Sequence, residues 1–402
     1  MTSVPVLGDA IAASRSSKSI HLPGLNGVRF WAAFLVLLDH LELFKPYFGI
    51  TPFWSEAHSA HLGRTGVTVF FVLSGFLITY LLLKERDLGG IGIRNFYVRR
   101  VLRIWPLYYL IVALCFFVAP YIGVLQVEGY AEPVHDDLAA KLFLFVAMMA
   151  NVAFVLLPTV PFGNVLWSVA VEEQFYLFWP HLMKRAANVL RGMLIVLGVY
   201  MLAKLVLVVL LGPLNAHWAG ILLHLLDRTR FSSMIIGAIG AYAVHAASEP
   251  LLSFVFRPLV QLLAWALMLL GTIIPGRGTV FGLIGNELTS VVVIVLLLNL
   301  AFNARSILRL ENPVLDRLGR ISYGLYVYHL FAVVLCTRAF VPIYAAYPDG
   351  EIFLGALLLL ATRALTAGIA QFSYRRFELP FLRKKKKYST IISGDLVNNE
   401  QE

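Results

Sequence analysis

Apolar residues gather in long runs parted by short polar stretches, near positions 28–48, 64–83, 104–124, 165–183, 190–211, 231–247, 258–274, 281–303, 321–341 and 352–372. A helix needs roughly 20 mainly apolar residues to cross a ~30 Å hydrocarbon core. The pattern therefore predicts an all-α membrane protein, a polytopic bundle of about ten transmembrane helices. An eleventh apolar run, 138–157, is tested by parity, because cytoplasmic loops collect Lys and Arg. If it does not cross, the N-terminus, 84–103, 184–191, 249–257, 305–320 and 375–387 all fall inside. If it crosses, every later basic cluster falls outside, the run from Arg383 to Lys387 included. The run 138–157 therefore reads as a re-entrant or packed non-spanning helix, allowed where protein rather than lipid surrounds it.

Composition agrees. The 402 residues are 59% hydrophobic and 14% charged, with mean hydropathy +0.78, whereas soluble domains carry roughly 25% charged residues. Polar residues with Arg15 and Lys18 precede the first run and no cleavage pattern follows it, so it is a retained span rather than a signal peptide. The formal charge of +10 would suggest a nucleic-acid partner in a soluble protein. Here the basic residues sit at span ends, which marks orientation, so membrane lipid and not nucleic acid is the expected neighbour. The basic run after Phe381 reads as an anchor beside anionic headgroups. Cys115 and Cys336 fall in apolar segments without metal spacing, which argues against a disulfide framework or a metal site. With no repeat and no long linker, the chain reads as one transmembrane domain, 22–381, between cytoplasmic tails 1–21 and 382–402. The expected location is the cytoplasmic (inner) membrane, with both termini cytoplasmic; oligomerisation with a second copy is left open.

Ionisable residues inside the apolar runs are the candidate chemistry. Arg29 and His40 lie eleven positions apart on the first span, about 16 Å along a helix axis. Arg29 then sits at an interface and His40 near mid-depth, where an ionisable group is costly and serves either function or helix adhesion. In 166–176, Ser168, Glu172 and Tyr176 share a face and Glu173 turns about 100° away. Such a stripe suits a carboxylate orienting a histidine, or a polar packing seam. Arg100 and Arg103 stand one turn apart at the cytoplasmic mouth, where guanidinium forks suit the phosphates of a nucleotide-containing donor; the positive-inside bias explains them equally. Ser74 and Gly75, like Gly66, read first as packing residues. In 321–329, Ser322, Tyr326 and His329 share a face, and His329 either lines the same cavity or caps a packing network. Arg64 and Arg230 each begin a span on the outer side.

Taken together, Gly27 to His40 with its Arg followed by ten residues and His, Gly66 to Ile78, Phe96 to Pro106, Trp167 to Pro180, Gly319 to His329 and Ser373 to Phe381 resemble, in order, the acyltransferase-3 family of integral membrane acyltransferases. The blocks extend from about residue 22 to 381. The resemblance implies transfer of an acyl group, foremost acetyl, from cytoplasmic acyl-CoA to a hydroxyl of a carbohydrate or glycoconjugate acceptor, with no metal. It makes His40 the essential histidine, Arg29 its paired cation, Arg100 and Arg103 the cytoplasmic pair and Glu172 the carboxylate of the Trp-Ser motif. It further implies a standalone form without the hydrolase-like domain of some relatives. On this reading His40 acts as general base on the acceptor hydroxyl or first carries the acyl group itself, Glu172 orients it, Arg29 or Arg230 stabilises developing negative charge, and Ser168, Tyr176, Arg230, Tyr326 and His329 line the cavity. The rivals are the same chemistry on a lipid-linked sugar or glycosylated metabolite, a proton-coupled glycan or lipid transporter, marked by broken helices in matching halves, and a partner-binding membrane scaffold.

Overall fold

The computed structural model describes residues 19–20, 22–130, 136–211, 217–273 and 279–393. Most of the tail 1–21 and the last residues of 382–402 lie outside them, as do residues 131–135, 212–216 and 274–278.

The described chain is helical apart from a two-residue parallel bridge, Ser19–Ile20 with Ile392–Ser393, which joins the two ends. In order the helices are α1 Leu25–Phe44, α2 Glu56–Asp87, α3 Ile93–Phe117, α4 Leu138–Val146, α5 Ala150–Leu156, α6 Leu166–Arg185, α7 Val189–Leu211 and α8 His217–Thr229. There follow α9 Phe231–His245, α10 Glu249–Val255, α11 Pro258–Ile273, α12 Thr279–Phe302, α13 Pro313–Arg320, α14 Ser322–Ala346, α15 Glu351–Ser373 and α16 Leu379–Lys386.

Each of the ten predicted runs coincides with a helix, but the count of ten spans is not upheld. Among the described residues six helices are long and apolar enough to cross a membrane, or seven if the bent pair His217–His245 and Glu249–Val255 is one span. Charge and length account for the difference. Arg29, Asp39 and Glu42 interrupt α1, Glu172 and Glu173 interrupt α6, and α11 has 16 residues. The run 138–157 forms α4 and α5, of nine and seven residues, broken where Met148 adopts a left-handed φ of 56°. Neither approaches the ~20 residues of a span.

The packing follows from where small residues occur. A Cβ on Gly75 would meet the Met234 carbonyl oxygen at 1.9 Å, and one on Gly237 would meet that of Val72 at 2.1 Å. α2 and α9 therefore touch backbone to backbone, the close approach that small residues permit in membrane helices. Gly66 does the same for α1, at 2.6 Å from the Ala32 oxygen. α2, 32 residues long, is the buried central post, whereas α7 turns most of its apolar surface outward. Cys115 and Cys336 are buried free thiols. At one end Arg99 fixes the chain's later segment: its Nη2 pairs with Glu85 Oε1 at 2.5 Å, and its Nη1 donates to the Tyr388 carbonyl at 2.9 Å.

Candidate active site: a cavity beside a histidine pair

Four helices, α1, α2, α3 and α6, and the start of α14 enclose a cavity of about 190 Å³. Cross-links between them set its shape. Tyr323 of α14 donates to the Ile104 carbonyl of α3 at 3.1 Å. The Ser168 and Tyr326 hydroxyls lie 2.7 Å apart, and Tyr326 also donates to the Val165 carbonyl at 2.9 Å. α6 and α14 are thereby joined at the cavity's inner end.

The stripe expected on α6 is present, since Ser168, Glu172 and Tyr176 all face the cavity. Glu173 turns the other way and accepts from Trp105 Nε1 at 2.8 Å. Arg29, Arg100 and Arg103 line the same space. Arg29 Nη1 donates to Asn26 Oδ1 at 3.0 Å. The Arg100 guanidinium lies 5.7 Å from the Phe96 ring and 5.8 Å from the Tyr176 ring, and among the described residues its buried Nε has no hydrogen-bond partner. Beside it a smaller recess is edged by Arg103, Arg320 and Lys385, so basic groups from three helices converge on the mouth. Lys385 and Arg320 do this without having been singled out by sequence, because the run after Phe381 reads as a lipid anchor until α16 folds back against α3.

Two expectations about Glu172 and His40 need correction. Among the described residues Glu172 makes no contact with His40; its Oε1 accepts from Ser74 at 2.8 Å and its Oε2 from Tyr176 at 3.0 Å. Ser74, expected to serve packing alone, is thus the carboxylate's partner. His40, His329 and Arg230 do not line this cavity. The two imidazoles instead pair with each other one turn beyond Tyr326. His329 Nε2 lies 3.2 Å from His40 Nδ1, with ring centroids 4.9 Å apart.

Their protonation follows from geometry. His329 Nδ1 lies 2.5 Å from the Tyr326 carbonyl oxygen, and His40 Nδ1 lies 2.9 Å from that of Val36. A carbonyl only accepts, so each Nδ1 carries a proton. His40 Nδ1–H is shared between Val36 O and His329 Nε2, which turns the ring's Nε2 away from both partners. His329 is 1% exposed whereas His40 is half-buried, so His40 is the more accessible member of the pair. The orienting that sequence assigned to Glu172 is supplied by helix α1's own backbone and by His329.

Comparison with known proteins identifies the family. The family described as Acyltransferase domain matches residues 22–370. The Putative O-acetyltransferase of Staphylococcus aureus strain COL is 28% identical over 386 residues, covering 92% of this chain and 59% of its own length. Peptidoglycan O-acetyltransferase OatA of Listeria monocytogenes is 30% identical over 175 residues, 40% of this chain and 24% of its own. The chain spans less than two thirds of the length of these relatives. No solved structure matches it. With the match running through the cavity, the histidine pair and nearly every helix, the chain belongs to the acyltransferase-3 family of membrane acyltransferases.

Proposed function

We propose that this chain is a membrane O-acyltransferase that moves an acetyl group from cytoplasmic acetyl-CoA to a hydroxyl of a glycan. The observation that carries this reading is the His40–His329 pair, in which His40 turns Nδ1 to the Val36 carbonyl and to His329, held one turn beyond a cavity whose mouth is basic. Arg100 and Arg103, with Lys385 and Arg320, take the CoA phosphates, and the pantetheine arm follows the cavity past Glu172 toward Tyr326. His40 removes the acceptor hydroxyl's proton as its oxygen attacks the thioester carbonyl. The C–O bond forms, the C–S bond breaks, and the proton passes from His40 to the departing thiolate, giving an ester and free CoA. Glu172 faces the donor and helps shape its binding, with Ser74 and Tyr176 holding the carboxylate in place. Arg29 sets the cation at the cavity wall. Basic side chains gathered at this mouth support the cytoplasmic side for the donor and for both termini.

The acceptor is an envelope or exported glycan. The relatives' names, Putative O-acetyltransferase and Peptidoglycan O-acetyltransferase OatA, support acetyl and a glycan. A broken helix pair, bent by 116° between α9 and α10, is the feature a transporter would use, but a transporter needs a counterpart in the other half of the chain. The test is CoA release from acetyl-CoA by the protein in lipid nanodiscs with envelope glycan as acceptor, wild type beside His40→Ala. Ester formation by wild type alone supports the assignment. Equal turnover by a folded His40→Ala overturns His40 as base, and glycan movement without CoA release favours the transporter.

A further inference from the structure

One group of charges takes no part in this scheme. Arg64 of α2 and Arg228 and Arg230 at the α8–α9 junction gather near Trp167, the neighbour of Ser168. The Arg228 guanidinium lies 5.0 Å from the Trp167 ring and 4.3 Å from the Phe154 ring, and that of Arg230 lies 5.6 Å from Trp167.

Arg230 has a bracing task. Its Nη1 donates to the Arg64 carbonyl and to Thr68 Oγ1, both at 3.3 Å, and its Nε to the Asp227 carbonyl at 3.2 Å. It is 2% exposed and sits at a left-handed φ of 40°. A bulky side chain persists in that region only where its surroundings enforce it. The enforced turn directs Arg228 onto the two rings. Arg228 differs from Arg230, because among the described residues it makes no hydrogen bond and no ion pair and is only half-buried. The Arg64 side chain is exposed. Asp227 lies within electrostatic reach of Arg228 and Arg230, and Asp39 within reach of Arg64. Glu287 is within reach of Arg230 as well and is paired with Lys204, so three guanidinium groups share three carboxylates, and among the described residues none of these forms an ion pair with Arg228.

This cluster borders the reacting histidine. Tyr326, whose carbonyl fixes His329, is within reach of Arg228 and Arg230, and Arg64 is within reach of the residue preceding His40. Asp39 is ten residues beyond the cavity's Arg29 on α1, about 15 Å along the axis. The arginines therefore stand on the opposite side of the histidine pair from the donor mouth.

We propose that Arg228, assisted by Arg64, receives an anionic group carried by the acceptor, so that the substrate class is an acidic glycan with a carboxylate or phosphate near the hydroxyl to be acylated. This rests on the acyl-transfer reading. A planar guanidinium fork matches either anion in two-point contact, and an unpaired arginine in a membrane protein is costly until a counter-ion arrives. Arg228 is poised to be paired by substrate, with Arg230 keeping it there.

The test measures binding without acyl donor, by calorimetry on the full chain in lipid nanodiscs. The ligands are a glucuronate-containing oligosaccharide, its carboxyl-reduced counterpart and a phosphorylated oligosaccharide. Wild type is expected to bind the acidic form at least tenfold more tightly than the reduced one. That ratio falls toward one in Arg228→Gln and is partly kept in Arg228→Lys. If Arg228→Gln does not fold, Arg64→Gln at its exposed position carries the comparison, with a smaller fall expected. The stronger of the carboxylate and phosphate arms identifies the anion. Equal binding of charged and neutral forms by wild type, or an unchanged ratio in the variants, overturns the proposal. Absence of acyl transfer by wild type, with its preference for the acidic form present and lost in Arg228→Gln, would instead sink the enzyme reading alone.

Discussion

His40 Nδ1 lies 3.2 Å from His329 Nε2 and 2.9 Å from the Val36 carbonyl oxygen, so the ring turns its Nε2 away from both. The two residues are 289 positions apart, so the histidine pair is assembled by α1 and α14 together.

Removing the base should cost the most. His40→Ala is expected to lower kcat by about 10² to 10⁴-fold, the usual range for general-base catalysis, with the protein still folded. His329→Ala removes only the positioning partner, so kcat should fall less and KM for acetyl-CoA should stay near wild type. Steady-state CoA release with both variants checks the order; a larger loss from His329→Ala would reverse the roles.

The basic mouth makes a prediction about the donor. Arg100→Ala and Arg103→Ala should each raise KM for acetyl-CoA by roughly 10-fold or more, since a hydrogen bond to a charged group contributes about 1.5–3 kcal/mol. With acetyl-pantetheine, which lacks the nucleotide phosphates, wild type and variants should show similar KM. A KM rise of equal size for both donors would mean that these arginines act on the helix packing and not on phosphate.

Glu172 and Ser74 should behave as one unit. Ser74→Ala strips a donor from a carboxylate and should destabilise the protein by about 1–3 kcal/mol. The double variant Ser74→Ala, Glu172→Gln should lose less than the sum of the two single effects, as contacting residues do. Thermal unfolding in detergent across this double-mutant cycle reads the coupling, and strict additivity would contradict the 2.8 Å contact.

Glycine at the α2–α9 contact is a matter of space. Gly75→Ala would set a methyl 1.9 Å from the Met234 carbonyl oxygen, and relief needs the two helices to part. Overpacking of this kind costs about 1–3 kcal/mol or more. Gly198→Ala on α7 has nothing within 4 Å and should leave the melting temperature unchanged or slightly raised. Comparable melting temperatures for the two variants would show that α2 and α9 are not held backbone to backbone.

Sequence by itself determined the helical class, the position of every long helix and the face shared by Ser168, Glu172 and Tyr176. These are local properties, fixed by the length of apolar runs and the 3.6-residue period. It also singled out His40, His329, Arg100 and Arg103, because an ionisable residue in an apolar run is costly and therefore conspicuous. Its count of about ten spans is not confirmed, because among the described residues only six or seven helices are long and apolar enough to cross, and hydropathy runs do not reveal which helices stay short or carry charge against protein. What only the tertiary structure decided is who meets whom. Helical period places Ser74 on α2 but cannot say that it faces Glu172 98 residues away, and it cannot say that His40 finds His329 and not Glu172. Lys385 was hidden in a basic run and Arg228 in an unremarkable loop end, since neither breaks a local pattern. Pairing across helices depends on how Gly66, Gly75 and Gly237 let backbones approach, and that distance is set by the packed bundle as a whole.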